Sequence, residues 1–352
     1  MSEITLSIDE REVNVQPNST ILQAAEKAGV KIPSLCHHGD LSSCSACRVC
    51  LVEVEGARSL VTACSYPALP GMKVKTQTER ARNARRLVLE LLLSDHPLDC
   101  MTCEKAGSCR LQDLAYEMGL TGSRFKGEQH RYPLDRSNPF IVRDYNKCVL
   151  CERCIRICDE IQGSTAIDYA HRGFHTKVTV PYHRGLEESD CVFCGQCVSV
   201  CPVGALTERS REGHGREWEF EKIKTICSYC GVGCTLFLNV KEGRIVRVTS
   251  DRREGVNHGN TCVKGRFGFD YVHSPERLTD SLIREGENVH RVSWEEAMDK
   301  VAGILMGIKT AYGPDAIGVL ASAKCTNEEN YLLQKLARAA LGTNNVDHCA
   351  RL

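Results

Sequence analysis

Apolar and polar residues alternate over Ile4-Thr5-Leu6-Ser7-Ile8 and again over residues 11–15, which predicts two strands joined by a tight turn at Asp9-Glu10. Asn18-Ser19-Thr20 then supplies an N-cap for a short amphipathic helix over Ile21–Ala28, with Gly29 just past its end. A returning strand is predicted from Cys47 to Val54. Residues 79–95 read as a longer packing helix, Arg-rich at first and then Leu87-Val88-Leu89-Glu90-Leu91-Leu92-Leu93. Residues 119–137 are polar and contain glycine around Gly122-Ser123-Arg124, which marks a linker. A charged stretch from Glu208 to Lys224 follows, then a hairpin over Thr235–Asn239 and Arg244–Thr249 that turns at Glu242-Gly243. Near the end, Ser293-Trp294-Glu295-Glu296 is a capping-box pattern opening a helix to about Thr310. Ala316–Ala321 reads as a short strand, and Thr326-Asn327-Glu328-Glu329 caps a last helix ending near Gly342.

Composition sets limits on this layout. The 352 residues carry 45 Lys+Arg and 45 Asp+Glu, a balance that argues against a nucleic-acid binder. No stretch approaches the roughly 18 consecutive apolar residues of a membrane span. Met1-Ser2-Glu3-Ile4 carries no basic, apolar or twin-arginine export signal, so a cytoplasmic protein is expected. Cysteine is the anomaly, at 22 residues. A disulfide scaffold fits poorly, because such scaffolds are short and secreted. Most of these cysteines stand two or three residues from the next, a spacing that converges on one ion or cluster rather than on disulfide geometry.

Four groupings carry the chemistry. The first is C-x10-C-x2-C-x13-C at Cys36, Cys47, Cys50 and Cys64, with Cys44 as an extra thiol that creates an overlapping C-x2-C-x2-C run. No further cysteine follows that run at ferredoxin spacing, so Cys44 reads as a non-ligand. The second is His96-x3-Cys100-x2-Cys103-x5-Cys109, where three cysteines lack a fourth and the histidine stands at short spacing before them. Imidazole is neutral where thiolate is anionic, so such a site differs in charge and potential from an all-thiolate one. The third is an internal repeat, Cys148-x2-Cys151-x2-Cys154-x3-Cys158 and Cys191-x2-Cys194-x2-Cys197-x3-Cys201-Pro202. The fourth is Cys227-x2-Cys230-x3-Cys234-x27-Cys262, followed by Val263-Lys264-Gly265. Zinc also takes four thiolates and competes as a reading, but its sites usually pair two C-x2-C knuckles across a longer gap. Cys325 and Cys349 have no such company and read as buried free thiols.

The first grouping resembles the amino-terminal [2Fe–2S] domain shared by the large peripheral subunit of complex I, iron-only hydrogenases and some formate dehydrogenases. That resemblance implies a β-grasp ferredoxin fold and Cys36, Cys47, Cys50 and Cys64 as ligands. The His96 string occurs in the same families and implies a [4Fe–4S] cluster held by one histidine and three cysteines. The repeat resembles the bacterial two-cluster ferredoxin signature, in which the fourth cysteine of each run serves the other cluster. It implies one cluster on Cys148, Cys151, Cys154 and Cys201 and another on Cys191, Cys194, Cys197 and Cys158. The Cys227 string resembles the cluster domain of molybdopterin oxidoreductases that bind two guanine-dinucleotide pterins. There Lys264 would lie between pterin and cluster, and the loop at 322–327, with Asn327, would meet a phosphate or pterin.

Gly342-Thr343-Asn344-Asn345-Val346-Asp347-His348-Cys349-Ala350-Arg351 resembles the approach to the active site of formate dehydrogenase catalytic subunits, which continue into a selenocysteine or cysteine that ligates molybdenum or tungsten. The expected class is therefore α+β and multidomain. A [2Fe–2S] domain covers 1–78, a histidine-plus-three-cysteine [4Fe–4S] domain 79–119 and a two-[4Fe–4S] ferredoxin domain 138–210. A molybdopterin-oxidoreductase cluster domain covers 220–276, and an incomplete molybdopterin-binding α/β domain 277–352. The expected cofactors are one [2Fe–2S], four [4Fe–4S] and, in the complete enzyme, Mo- or W-bis(molybdopterin guanine dinucleotide).

The expected activity is the relay portion of a formate dehydrogenase, formate to carbon dioxide and two electrons. Electrons would run in file from the Cys227 cluster through the ferredoxin pair and the His96 cluster to the [2Fe–2S] centre. The expected partners are the missing carboxy-terminal catalytic part and a flavin/NAD module, a ferredoxin or a hydrogenase module. One expectation for the end at Leu352 is a UGA selenocysteine codon read as a stop, with a split gene as another; the 352 residues alone are then expected to be inactive on formate. A non-catalytic electron-transfer subunit of a complex-I-like or hydrogenase assembly is the alternative, and a zinc-stabilised interaction protein is a third.

Overall fold

In the computed structural model, which describes residues 3–348, the first alternation becomes β1 (Ile4–Ile8) paired antiparallel with β2 (Arg11–Val15), Ile4 opposite Val15 and Ile8 opposite Arg11. Asp9 and Glu10 both take left-handed backbone (φ 46° and 68°), the twist a two-residue hairpin turn needs. Leu6, Ile8, Val13 and Val15 point inward and are buried. Thr20 opens α1 (Ile21–Lys27) with a full capping box: its hydroxyl accepts from Gln23 N at 3.2 Å, and the Gln23 side-chain oxygen accepts from Thr20 N at 2.8 Å. Ile21, Leu22, Ala24 and Ala25 pack onto the sheet completed by β3 (Leu51–Val54), β4 (Val61–Thr62) and β5 (Lys73–Lys75). The strand order is β2-β1-β5-β3-β4, with β1 and β5 parallel. Each fully buried aliphatic side chain in this core contributes roughly 1.5–3 kcal/mol.

Helix α2 (Glu79–Asp95) starts at a Thr78 cap and buries Ala81, Arg85, Leu89 and Leu93, a stripe at four-residue spacing. Arg85 sits inside that stripe because its Nε donates to the Leu51 carbonyl of β3 at 2.8 Å. The helix ends at His96, which leaves it in extended backbone. Helix α3 (Arg110–Glu117), which the apolar pattern did not reveal, begins directly after Cys109 and buries Leu111 and Leu114.

Beyond the linker, β6 (Ile141–Arg143) pairs antiparallel with β9 (Leu206–Glu208) and brackets the cysteine repeat. Between them lie α4 (Arg153–Arg156), which continues as a π-helical turn over Ile157–Ile161, the β7 (Asp168–Ala170) and β8 (Lys177–Thr179) hairpin, and α5 (Gln196–Val200).

The chain divides into two compact units, Met1–Glu221 and Lys222–Leu352. The charged stretch ends in a strand rather than in coil: β10 (Glu221–Ile226) joins β11 (Thr235–Lys241) and β12 (Arg244–Thr249) in a three-stranded sheet. Glu242 and Gly243 form the expected turn, with φ 51° and 73°. Helix α6 (Val263–Phe267) follows Cys262. The β13 (Ser281–Glu285) and β14 (Asn288–Val292) hairpin was not legible in the sequence. Helix α7 (Trp294–Tyr312) is capped by Ser293 and has no buried residue. The strand expected over 316–321 is shorter, β15 (Val319–Ala321), because Pro314–Ala316 form a 3-10 turn. Helix α8 (Asn327–Lys335) passes into a π-helical segment and stops at left-handed Gly342. The chain then returns as β16 (Val346–His348), parallel to β15. Among the described residues no helix is long and apolar enough to cross a membrane.

Candidate metal centres

Cys36, Cys47, Cys50 and Cys64 are all buried, on the loop between α1 and β3 and just after β4. Left-handed residues Ser45 and Arg48 curl this loop inward. The Leu35 and Cys36 amides donate to Cys47 Sγ at 3.4 Å each, and Ser45 Oγ lies 3.6 Å from Cys64 Sγ. The Cys36 thiol is hydrogen-bonded to Cys44, Cys47 and Cys64, which pushes it up. The same bonds pull its partners down, Cys47 to about 6. A buried ring of thiols with amide donors turned toward sulfur fits a thiolate-bound [2Fe–2S] cluster. Cys44 shares a hydrogen bond with Cys36 and also reaches outward, its Sγ 3.9 Å from the Cys151 carbonyl. Its place near a second cluster loop was not legible in the sequence.

His96 stands where α2 ends, and its Nδ1 is buried without a hydrogen-bond partner. Burial lowers its pKa, which favours the neutral imidazole that metals bind. Cys100 and Cys103 lie on the following turn, and Cys109 is the N-cap residue of α3. Burial pushes Cys109 up against the opposing pull of the Gln112 and Leu111 amides. His96 faces Asp99 and Lys147, which also lie near Cys100 and Cys103, so its orphaned nitrogen fits a cluster with one histidine and three cysteine ligands. Lys147 is buried next to this site, paired with Asp99 at 2.8 Å and Asp144 at 3.3 Å. Gly204 is also close: a Cβ there would stand 2.7 Å from Cys103 Sγ.

The cysteine repeat folds as a backbone repeat. Leu150 and Glu152 in the first run, and Phe193 and Gly195 in the second, all take left-handed backbone. Those turns aim the Leu150 amide at Cys148 and the Phe193 amide at Cys191. The thiols group in the crossed pattern. Cys201 interacts with Cys148, Cys151 and Cys154, and the four line one apolar cavity, which Cys197 of the second run also borders. Cys158 interacts with Cys191 and Cys197 and lines a second cavity with them and Cys194. Burial pushes Cys148 up to about 11 and Cys151 up to about 12, the cost of a dry site that a bound cation cluster offsets. Arg143, buried on β6, lies close to Cys148, Cys191 and Cys197.

In the second unit Cys227, Cys230, Cys234 and Cys262 also face one another. Burial raises Cys227 and Cys234, while Cys230 and Cys262 are exposed. Cys227 N donates to the Cys234 carbonyl at 2.9 Å. Lys264 is exposed and lines the same hollow as Cys227. Asn327, the first residue of α8, is exposed. The loop before it touches the cluster loop through Gly231 N, which donates to the Ala323 carbonyl at 2.9 Å. Cys325 in that loop is a half-buried free thiol; Cys349 lies outside the described residues. Among the described residues no group of three or more His, Cys, Asp or Glu side chains is placed to hold a single metal ion.

In the first unit the Cys148–Cys201 site adjoins the elements of two other groups of candidate ligands. Arg156 donates through Nη2 to the Cys36 carbonyl at 2.6 Å and to the Cys151 carbonyl at 3.4 Å, which joins the first thiol ring to the Cys148–Cys201 site. The His96 site abuts that same site, through Gly204 and through Arg110 N, which donates to the Pro202 carbonyl at 2.8 Å. The Cys148–Cys201 site thus has the first thiol ring on one side and the His96 group on another. The sequence reading missed Arg153 and Arg156; the available signal was two arginines inside a cysteine run.

Five family models match successive parts of the chain. They are a 2Fe-2S iron-sulfur cluster binding domain over residues 1–79, the NADH-ubiquinone oxidoreductase-G iron-sulfur binding region over 85–124, and the NADH-quinone oxidoreductase subunit 3 ferredoxin-like domain over 138–207. The molybdopterin oxidoreductase Fe4S4 domain follows over 220–274 and molybdopterin oxidoreductase over 277–352. The chain is 39% identical over 349 residues to the NADPH-Fe(3+) oxidoreductase subunit alpha of Geobacter sulfurreducens, covering 99% of this chain and 40% of that protein. It is 40% identical over 352 residues to the second G-type subunit of NADH-quinone oxidoreductase from Rhizobium meliloti, with 99% and 40% covered. A chain in the crystal structure of NAD+-reducing [NiFe]-hydrogenase in the H2-reduced state matches with TM-score 0.56 and 33% identity, over 60% of this chain and 90% of that one. The chain spans about 40% of the length of the curated relatives it matches.

Proposed function

We propose, for a chain that belongs to the iron–sulfur electron-transfer modules of NADH-quinone oxidoreductase G-like molybdopterin oxidoreductases, that it carries electrons between a pterin-bound metal and a flavin/NAD module. The observation that carries this reading is the crossed grouping of thiols, Cys201 with Cys148, Cys151 and Cys154, and Cys158 with Cys191 and Cys197. Only a chain folded around two clusters gains from exchanging its fourth cysteines in this way. The bound clusters supply one-electron redox chemistry, so a two-electron oxidation is delivered in single steps. The chain's own residues do the rest. Cys36, Cys47, Cys50 and Cys64 hold the [2Fe–2S] centre. His96, Cys100, Cys103 and Cys109 hold one [4Fe–4S] centre, the two crossed quartets hold two more, and Cys227, Cys230, Cys234 and Cys262 hold the fourth. Amide donors at Leu150 and Phe193 stabilise negative charge on sulfur. Lys264, which lines the same hollow as Cys227, would be the cation between that site and the pterin.

The finer reading is formate oxidation at molybdenum or tungsten, with the 277–352 segment as the start of the pterin domain and Asn327 at the head of α8 as a pterin contact. It is supported by the Asn344-Asn345-Val346-Asp347 segment, which runs into β16, where Asn345 is pinned by the Asp315 carbonyl at 3.0 Å. A non-catalytic electron-transfer role is the second reading, and the names of the two curated relatives, NADPH- and NADH-linked, favour it.

Anaerobic reconstitution tests the conduit: about eighteen irons per chain are expected, two in the [2Fe–2S] centre and sixteen in four [4Fe–4S] centres. A colourless, zinc-loaded chain would refute it. Formate-dependent dye reduction by the pterin-loaded protein containing this segment separates the two finer readings. Turnover supports the dehydrogenase, and cluster reduction by NAD(P)H through a flavin partner without formate turnover supports the second.

A further inference from the structure

Arg156 is the last residue of α4, only 8% exposed, and its fork is spent on backbone carbonyls of two different cysteine loops. Nη1 donates to Ser42 O; Nη2 donates to Cys36 O at 2.6 Å and Cys151 O at 3.4 Å. One nitrogen atom thus spans a residue of the [2Fe–2S] quartet and a residue of the first ferredoxin quartet. The seam around it is built to be rigid. Arg153 donates to His37 O and, at 3.4 Å, to Val200 O. Glu160 accepts from Ser42 N at 2.8 Å and from the Ser42 hydroxyl. Leu41, Ile157 and Val200 close an apolar contact across the seam.

Arg156 is also a permanent cation in a dry place. Guanidinium stays charged at any working pH, and its charge acts strongly where water is excluded. Adding an electron to either neighbouring centre adds negative charge beside it, so the cation favours the reduced form of both.

Resting on the conduit reading, we propose that Arg156 is a positioning residue for electron exchange between the [2Fe–2S] site and the Cys148–Cys201 site: it fixes their separation, bridges them through Nη2, and raises both potentials. A single electron passing between the sites oxidises one centre and reduces the other, with no bond made or broken and no proton required.

The test uses the full chain, reconstituted anaerobically, as Arg156→Gln and Arg156→Lys. The readouts are iron content, the midpoint of each EPR signal, and the microwave-power saturation of the [2Fe–2S] signal with its neighbour reduced. Arg156→Gln is expected to keep its iron, to shift the [2Fe–2S] midpoint to more negative potential, and to weaken the relaxation enhancement from the neighbour several-fold. Arg156→Lys restores the charge but not the planar fork, so the midpoint should recover while the relaxation enhancement stays weak. If the Gln variant loses iron, the Lys variant alone decides. Full iron with unchanged midpoint and unchanged relaxation overturns the proposal and leaves the conduit reading standing. A parent chain that takes up no iron fails the conduit reading itself.

Discussion

Leu150 and Phe193 hold the same left-handed backbone, φ 49° and 53°, at the same place in two successive cysteine runs. Two positions on, the runs differ: Glu152 (φ 60°) stands where the second run has Gly195 (φ 70°). A non-glycine residue there costs about 1–2 kcal/mol. Glu152→Gly is therefore expected to raise stability by up to about 1 kcal/mol, partly offset by the flexibility glycine adds to the unfolded chain. Gly195→Val should lower stability by about 1–3 kcal/mol. Thermal unfolding of the anaerobic, cluster-loaded chain checks both, and equal responses at the two sites would count against the backbone argument.

Cys36 bonds to Cys44, Cys47 and Cys64, while Cys44 bonds to Cys36 and also reaches the Cys151 carbonyl. Cys44→Ser should keep the [2Fe–2S] EPR signal and its two irons, and Cys36→Ser should lose or alter them. Iron loss in Cys44→Ser would make Cys44 a ligand.

His96→Cys replaces a neutral ligand by an anionic one. The cluster should survive, with a more negative midpoint, whereas His96→Ala should lose it or open one iron to exchange. Gly204→Ala changes no ligand residue but crowds one. Its methyl group would meet Cys103 Sγ at 2.7 Å and Lys147 Cδ at 3.3 Å, so damage should fall on the His96 signal. EPR spectra of the three variants resolve these outcomes.

Glu117 ties α3 to the loop after α1. Its hydrogen bond with Lys31 Nζ at 2.8 Å, followed by the charge of Arg110 at 3.3 Å, holds its carboxyl below the ordinary 4.5. A carboxyl with a depressed folded pKa contributes stability that is present above 4.5 and lost as pH falls through the lower folded value. Acid unfolding should therefore steepen below about pH 4.5 in the parent and less so in Glu117→Gln. Because the pair is largely exposed, the difference should shrink in high salt. Parallel acid titrations followed by circular dichroism decide it.

The local elements were legible where one period dominates. The β1–β2 alternation, the Thr20 cap and the α2 stripe follow from neighbouring residues alone. The crossed quartets are what the likeness of the repeat to the two-cluster ferredoxin signature implies; spacing alone shows only two equivalent runs. The short α3, the β13–β14 hairpin and β10 were hidden: α3 is set by Cys109 and by packing of two leucines, and β10 reads as a charged run because most of its side chains are exposed. The seam made by Arg153 and Arg156 was illegible for a different reason. A guanidinium that seeks backbone carbonyls leaves no partner side chain in the sequence to betray it.

On the conduit reading, the two neighbours of the Cys148–Cys201 site bear on how traffic would be shared. A linear wire must clear each electron before the next can follow. A node with two exits lets a pair of electrons from one turnover part company, one toward Cys36 and one toward His96. A block on one branch would then leave the other in service.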